Sequence, residues 1–117
     1  MTKSKAKTQY FINIQVPRFV EITLIASDIL KGSISQLETC AIARAIKRTL
    51  GDNPSVTSSE CTIEAWGGEA KLALPKKAQQ FIKKFDHCYS LADKKKLKPI
   101  SFVAKVVAYS NSDISIQ

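Results

Sequence analysis

The sequence predicts a single α+β domain in which an antiparallel sheet of about four to five strands carries two main helices on one face. Three observations predict this fold. Apolar residues alternate with period two near both ends of the chain, an apolar–Gly-Gly–apolar segment near the middle is typical of a β-hairpin, and two stretches have helical periodicity. The chain has 117 residues, and the commonest size of one domain is about 100 to 150 residues.

The first strands and a short helical turn come from the N-terminal third of the chain. Tyr10 to Val16 alternates between apolar and polar positions and predicts a strand, which Pro17 ends. Phe19 to Ala26 is rich in β-branched residues and predicts a second strand. A Ser-Asp pair that can cap a helix follows, and Gly32 can end one, so we expect a single helical turn at Ile29–Lys31.

Two longer segments have helical periodicity. From Glu38 to Leu50, apolar residues recur every fourth position, and Gly51 follows where helices often stop. Pro75 opens the second helix at its first position, where proline is tolerated. Residues 86–99 then predict a loop, and Ile100 to Tyr109 predicts the last strand. The second helix has an apolar stripe that we expect to face the core rather than a cofactor: Ala78, Phe81, Ile82 and Phe85.

A β-hairpin is the strongest local signal. Cys61 to Trp66 and Glu69 to Leu74 read as two strands joined by a two-residue Gly67-Gly68 turn. This turn predicts a register in which Glu64 lies opposite Lys71, an opposite-charge pair, while the other face of the hairpin is apolar throughout.

The remaining elements complete a predicted core. Asp52 to Ser55 contains an Asn-Pro pair and predicts a turn. The helical half of the core is expected to comprise Ile42, Ile46, Leu50, Phe81, Ile82 and Phe85. The half contributed by the sheet is expected to comprise Ile22, Leu24, Ile63, Leu72, Phe102 and Val106.

The composition limits the class of protein and its surroundings. Apolar residues make up 44% of the chain and charged residues 24%, as in globular proteins. No apolar run approaches the roughly 20 residues that a membrane-spanning helix needs, so we expect no membrane partner. Three scattered cysteines do not suit a disulfide scaffold, which favours a reducing compartment and a cytoplasmic location. We expect a disordered basic arm at residues 1–9, the α+β domain at 10–109 and a flexible tail at 110–117.

The net charge of +8 is unevenly distributed. Residues 75–105 hold nine lysines against two acids, and the N-terminal arm is also basic. Such asymmetry can attract a polyanion, although a merely solvated surface is the alternative. Lysines outnumber arginines fifteen to three. Arginine is the residue preferred for bidentate recognition of bases, so the chain is poorly equipped for sequence-specific recognition of nucleic acid.

The candidate binding residues follow from this distribution. The register predicted for the hairpin places Trp66 opposite Glu69 beside the turn, where an exposed tryptophan could anchor a partner. The alternative is that a neighbouring loop or the N-terminal arm covers Trp66. Three cations on the first long helix are predicted to share one exposed face, where they either contact a partner or only complement the helix dipole. The full candidate set is Arg44, Lys47, Arg48, Trp66, Lys76, Lys77, Lys83, Lys84, Lys94, Lys95 and Lys96.

Catalytic and metal-binding patterns are missing from the sequence. His87 is the only histidine, and its neighbour Cys88 points elsewhere on any regular element, so the two suit a nucleophile–base pair poorly. The cysteines lack the short spacings of structural zinc sites, and no glycine-rich phosphate loop occurs. We expect Cys40 and Cys61 to be small core residues. The sequence therefore predicts no enzyme, no cofactor and no metal.

Several marks occur together in one order: Asp28-Ile29-Leu30-Lys31-Gly32, then Cys40-Ala41-Ile42-Ala43, Leu74-Pro75, Phe81-Ile82 and Phe85-Asp86, and a strand after Pro99. This order resembles a family of small bacteriophage-encoded proteins, whose members carry an Asp-Ile-x-x-Gly turn, a Cys-Pro-Ile-Ala helix start and a Leu-Pro helix leading to Phe-Asp. The match covers about residues 19–108, with Ala41 in place of the proline of the family. The resemblance implies a phage origin, a compact α+β fold and no catalytic residues.

Three hypotheses for function stay open at this point. The first is a non-enzymatic phage-type binding protein that inhibits or counteracts a host or defence macromolecule, such as a nucleoprotein, from its basic surface in the host cytoplasm. The second is a sequence-nonspecific nucleic-acid-binding protein, with Tyr89 and Trp66 as stacking residues. The third is a virion component or homo-oligomer, in which the Tyr10–Val16 strand adds to the sheet of a neighbour.

Overall fold

The structure is a computed structural model and describes residues 9–11 and 14–110. The basic arm expected at residues 1–9 and the tail expected at 110–117 lie outside these residues, apart from Gln9 and Ser110, which belong to strands. The elements in chain order are β1 (Gln9–Phe11), β2 (Ile14–Val16), β3 (Phe19–Thr23), α1 (Ala26–Lys31), α2 (Ala41–Thr49), β4 (Asp52–Val56), β5 (Glu60–Ala65), β6 (Gly68–Ala73), α3 (Lys76–Phe85), α4 (Leu91–Lys96) and β7 (Ser101–Ser110).

Five strands form one antiparallel sheet in the order β3-β7-β6-β5-β4. The two long helices, α2 and α3, bury their apolar faces against it in a single contiguous core. The predicted α+β class is thereby confirmed. Of the expected core residues, Leu50, Ile82 and Val106 are only partly buried, while the other nine are buried.

The N-terminal strand prediction is wrong in its topology. The structure divides Tyr10 to Val16 between β1 and β2, which pair antiparallel as a separate two-stranded sheet with Gln9 opposite Val16. Period-two alternation is the same in both directions of a chain, so the pattern carries no sign of the reversal.

The helix predictions need three corrections. α1 starts at Ala26, earlier than the single turn predicted, and α2 starts at Ala41, because Cys40 at its N-cap has an extended backbone. α4 lies inside residues 86–99, where the sequence predicted a loop. Its N-cap is Ser90, whose hydroxyl accepts a hydrogen bond from the Asp93 N–H at 3.1 Å.

The turn predicted at Asp52 to Ser55 is the edge strand β4. Its pairing with β5 is interrupted between Asp52 and Ser55, where the register shifts and Asn53 has a φ of 50°. A proline is tolerated at such an edge bulge, so Asn53-Pro54 interrupts a strand here instead of replacing it.

The hairpin exists, but its register differs by two residues from the prediction. The turn is Trp66-Gly67, with φ values of 57° and 79°, so Ala65 lies opposite Gly68. Both residues have positive φ, as the two central residues of a type I′ turn do. A shift of two preserves the two faces but changes the partners: Glu64 lies opposite Glu69, and Lys71 opposite Thr62.

Candidate functional site

The basic surface is built on α3. Ala78, Phe81 and Phe85 are buried on the inner side of this helix, so the polar positions of the same turns face outwards. The lysines at these outward positions are exposed: Lys76, Lys77, Lys83 and Lys84.

α4 extends this surface beyond the C-terminal end of α3. Lys95 and Lys96 are exposed, whereas Lys94 turns inwards. Its ammonium donates a hydrogen bond to the Gly32 carbonyl at 2.6 Å and lies 5.6 Å from the centroid of the Phe85 ring. Lys94 therefore holds α4 against the end of α1 and the core, and its predicted binding role has to compete with these contacts.

Two apolar side chains lie exposed between the basic segments. Tyr89, in the α3–α4 connection, is 75% exposed, and Leu91 at the start of α4 is 55% exposed. The His87 ring meets Tyr89 edge-on with the centroids 6.4 Å apart. Sequence reasoning had considered Tyr89 but missed Leu91, which the unexpected helix α4 presents to solvent. We call the set Lys76, Lys77, Lys83, Lys84, Tyr89, Leu91, Lys95 and Lys96 the α3–α4 surface.

The lysines of the α3–α4 surface form no ion pair with any residue that the structure describes. Within residues 9–11 and 14–110, the two ion pairs join Arg48 to Asp28 and Lys71 to Glu60. The nearby carboxylate of Asp86 accepts a hydrogen bond from the Ser35 N–H at 3.0 Å and pairs with none of the described lysines.

Of the three cations predicted to share one exposed face of α2, only Arg44 differs from the prediction. Lys47 is exposed, but Arg44 is half-buried, and its Nε is buried without a hydrogen-bond partner. Arg48 is also exposed, but its guanidinium is held by the chain: its Nη2 lies 2.5 Å from the Asp28 carboxylate and donates to the Thr23 carbonyl at 3.0 Å. A partner would contact Lys47 more readily than the two arginines.

The Asp28-to-Gly32 segment has a structural role that explains its residue types. The buried Asp28 carboxylate accepts hydrogen bonds from Arg48 and from the Ile25 N–H, the latter at 2.9 Å. A Cβ on Gly32 would lie 2.7 Å from the backbone nitrogen of Ala41, closer than real Cβ contacts allow. Glycine there lets the end of α1 meet the start of α2.

Trp66 is not a bare anchor at the hairpin tip. Its side chain is half-buried and packs against the core, and its carbonyl accepts a hydrogen bond from the Tyr109 hydroxyl. The predicted partner Glu69 lies opposite Glu64 instead. The structure therefore favours the alternative in which neighbouring parts of the chain cover the indole.

The three thiols are buried and held in the neutral form. Burial raises the pKa of Cys40 and of Cys88, and it raises the pKa of Cys61 to about 12. Cys88 donates a hydrogen bond to the Lys84 carbonyl at 3.3 Å, while the neighbouring His87 is exposed and its Nδ1 lies 2.7 Å from the Lys83 carbonyl. A neutral thiol is a poor nucleophile, so these residues lack the activation that covalent catalysis needs.

A cleft of about 240 Å³ opens between the start of α2, the β4–β5 loop and α3. Its floor is apolar, formed by Cys40, Val56, Phe81 and Phe85, and Leu37 lies on its rim. In the described part of the chain, no group of three or more histidine, cysteine, aspartate or glutamate residues is arranged to hold a metal ion.

Comparisons with protein-family models, with curated proteins and with solved structures find no match to this chain. Among the helices of the described residues, none has the length and apolar character to cross a bilayer.

Proposed function

We propose that this chain is a non-enzymatic binding protein that docks an anionic macromolecule, a protein or nucleoprotein of a host or its defence machinery, on the α3–α4 surface. One observation carries the proposal: α3 and α4 carry six exposed lysines that form no ion pair with any described residue, and the exposed Tyr89 and Leu91 lie between these two lysine-bearing segments. The proposal includes an inhibitory role in the cytoplasm of a host cell, in line with the phage origin that the sequence resemblance implies.

The chemistry of the surface suits steering followed by anchoring. Lysine ammonium groups are compact, strongly hydrated charges, which accelerate encounter with an anionic patch but do not read its sequence. Exposed aromatic and aliphatic side chains supply affinity once water is expelled from around them. We therefore expect the lysines to set the association rate, and Tyr89 with Leu91 to set the dissociation rate.

Matched charge reversals test the proposal. The first variant changes Lys83, Lys84 and Lys95 to glutamate, and the control makes the same change at three exposed cations elsewhere, Arg18, Lys31 and Lys105. Both are used to recover partners from expressing cells, with and without nuclease, and then to measure association rates with the recovered partner. We expect the first variant to slow association at least about tenfold and to flatten its salt dependence. Equal effects of the two variants would remove the α3–α4 surface as the contact.

Direct binding of single-stranded nucleic acid is the second candidate, and the exposed ring of Tyr89 among lysines favours it. Bases stack on such rings while lysines contact phosphates, a combination that tolerates any sequence. Fluorescence anisotropy with a labelled oligonucleotide at low and physiological salt measures this directly. We expect affinity to fall steeply with salt, and Tyr89→Ala to weaken binding more than Tyr89→Phe, which keeps the ring. An affinity indifferent to salt would exclude this candidate.

A further inference from the structure

The two outer edges of the five-stranded sheet are treated differently. At the β4 edge, the Val56 N–H donates a hydrogen bond to the Leu37 carbonyl at 2.8 Å, and the Asn53-Pro54 bulge breaks the regular ladder. Covering loops, bulges and proline are the devices by which proteins stop an edge strand from pairing with another chain. The β4 edge is therefore protected.

The β3 edge lacks this protection. Val106 N–H donates to the Arg18 carbonyl, and Leu24 N–H donates to the Ile100 carbonyl, at 2.8 and 2.9 Å. Because hydrogen-bonded residues alternate along an antiparallel strand, the residues between these points that face β7 are Val20 and Ile22. The backbone groups of Phe19 and Glu21 consequently point away from the sheet.

These outward groups stay open within the part of the chain that the structure describes. Arg48 closes the end of the edge by donating to the Thr23 carbonyl, but no hydrogen bond from a described residue reaches the backbone of Phe19 or Glu21 on that side. β3 contains neither lysine nor proline, and its pairing with β7 has no bulge. On the helix-free face, Phe19 is 56% exposed beside Val103, which is 52% exposed.

We propose that the β3 edge pairs with the β3 edge of a second copy of this chain, antiparallel and about a two-fold axis perpendicular to the sheet. Phe19 of each copy lies opposite Glu21 of the other, and each such pair exchanges both of its backbone N–H···O bonds. The two Val20 side chains meet at the axis on the helix side. The register that opposes Glu21 to Glu21 is disfavoured, because like charges directly opposite destabilise a strand pair.

A second copy is the occupant because the edge is complementary to itself. The outward backbone groups are spaced two residues apart, which is the spacing that an antiparallel copy of the same strand presents in return. A perpendicular two-fold axis also leaves the helices of both copies on the same side of one continuous sheet. This edge is separate from the α3–α4 surface, and neither proposal depends on the other.

The contact is short, and two molecules of charge +8 repel each other. An edge-to-edge contact of five-residue strands buries less than the roughly 1,200 Å² of a stable interface. The dimer is therefore a weak one, with a Kd of about 10 μM to 1 mM, and it strengthens with added salt because salt screens the repulsion.

Sedimentation velocity of the full chain, from about 5 μM to about 1 mM and at low and high salt, tests the dimer. We expect wild type to shift from monomer to dimer with concentration. Phe19→Glu, which places two carboxylates directly opposite each other in each Phe19–Glu21 pair, raises Kd at least about tenfold. The control Val107→Glu makes the same kind of change at an exposed valine of β7, away from the edge, and leaves Kd unchanged. A purely monomeric wild type, or a dimer equally sensitive to both variants, overturns the proposal.

Amide hydrogen exchange by NMR tests the register and does not depend on any variant folding. Amides of Val20 and Ile22 are bonded within the monomer and should be protected at every concentration. Amides of Phe19 and Glu21 should gain protection only as the dimer forms. If protection appears instead on β4 or on the α3–α4 surface, the copies meet elsewhere and the edge pairing is wrong.

Discussion

The ion pair between Arg48 and Asp28 shows how the role predicted for a residue from the sequence can differ from the contacts it makes in the fold. Arg48 was a candidate for binding because it lies among cations on a helix. In the fold its guanidinium joins α2 to α1 and to the end of β3. The sequence carried the partner, Asp28, twenty residues away, but helical spacing relates only residues three or four apart. Contacts at this separation depend on tertiary packing and lie beyond pattern reasoning.

Arg48→Ala should destabilise the fold, because it leaves the Asp28 carboxylate buried with only a backbone N–H as partner. Breaking a buried pair costs about 3–5 kcal/mol, and the partial exposure of Arg48, whose side chain is 38% accessible, reduces our expectation to about 2 kcal/mol. Urea unfolding measures this loss in the free energy of unfolding. The control is Lys47→Ala, at the neighbouring exposed residue, which should change the free energy of unfolding by no more than about 0.5 kcal/mol. In the double variant Asp28→Asn/Arg48→Ala the loss should be less than additive. Full additivity would mean that the two side chains do not interact.

The buried thiol of Cys61 predicts a dependence of stability on alkaline pH. Its pKa is raised by burial from 9.0 to about 12 in the folded chain. Above pH 9 the unfolded chain releases the thiol proton while the folded chain retains it, so the stabilisation present below pH 9 is lost as pH rises towards 12. The loss is about 1.4 kcal/mol per pH unit.

Cys61→Val removes the titrating group at similar size, and the measurement is the difference between wild type and variant in free energy of unfolding from pH 8 to 11. We expect this difference to be flat up to about pH 9 and then to shift in favour of the variant. Other groups that titrate in this range cancel in the difference. A difference that is constant throughout would show that the folded Cys61 ionises as easily as the unfolded one.

At the scale of elements, the hairpin separates what the sequence pattern predicts correctly, the two faces, from what it predicts wrongly, the register. The alternation of apolar residues determines the two faces, and those faces are correct. The turn determines the register. Because the prediction places the turn at the two adjacent glycines, the predicted turn lies one residue too far along the chain. A tryptophan with positive φ is uncommon, so residue preferences alone point away from Trp66-Gly67. Contacts of the indole with the core, which only the folded chain reveals, offset that cost.

Alanine substitutions at the two glycines distinguish the registers. Gly67 has a φ of 79°, whereas Gly68 is not among the residues of positive φ, so a side chain is strained only at Gly67. We expect Gly67→Ala to lower the free energy of unfolding by about 1 kcal/mol or more, and Gly68→Ala by clearly less. Thermal unfolding of both variants is sufficient. Equal losses would support the turn at Gly67-Gly68 that the sequence predicted.

Elements missed by the sequence analysis share one feature, in that they are short and lie at the periphery. β4 contains Asn-Pro and α4 has six residues with none buried, so neither has the periodic apolar pattern that marks an element. The apolar stripe of α3, in contrast, predicted both its buried face and the outward direction of its lysines. The α3 part of the candidate surface is therefore largely predictable from the sequence. The α4 part, which includes Leu91, is not, because the only sign of this helix is the N-cap Ser90 before a lysine-rich segment without an apolar stripe.

At the scale of the whole molecule, the core joins α2, α3 and the five strands without a break. A contiguous core of this kind in a single small domain predicts one cooperative unfolding transition. The only tryptophan, Trp66, lies half-buried at the hairpin tip, at the end of the sheet remote from the β4–β5 loop, and reports local packing there.

Urea unfolding followed by Trp66 fluorescence and by far-ultraviolet circular dichroism should give the same midpoint, with a slope of about 1–2 kcal/mol per M. Phe85→Ala, which empties part of the core between α3 and the sheet, should move both midpoints together by about 3–5 kcal/mol of stability. Separate midpoints, or a shift of only one probe in the variant, would show that the hairpin unfolds apart from the helices and that the core is divided.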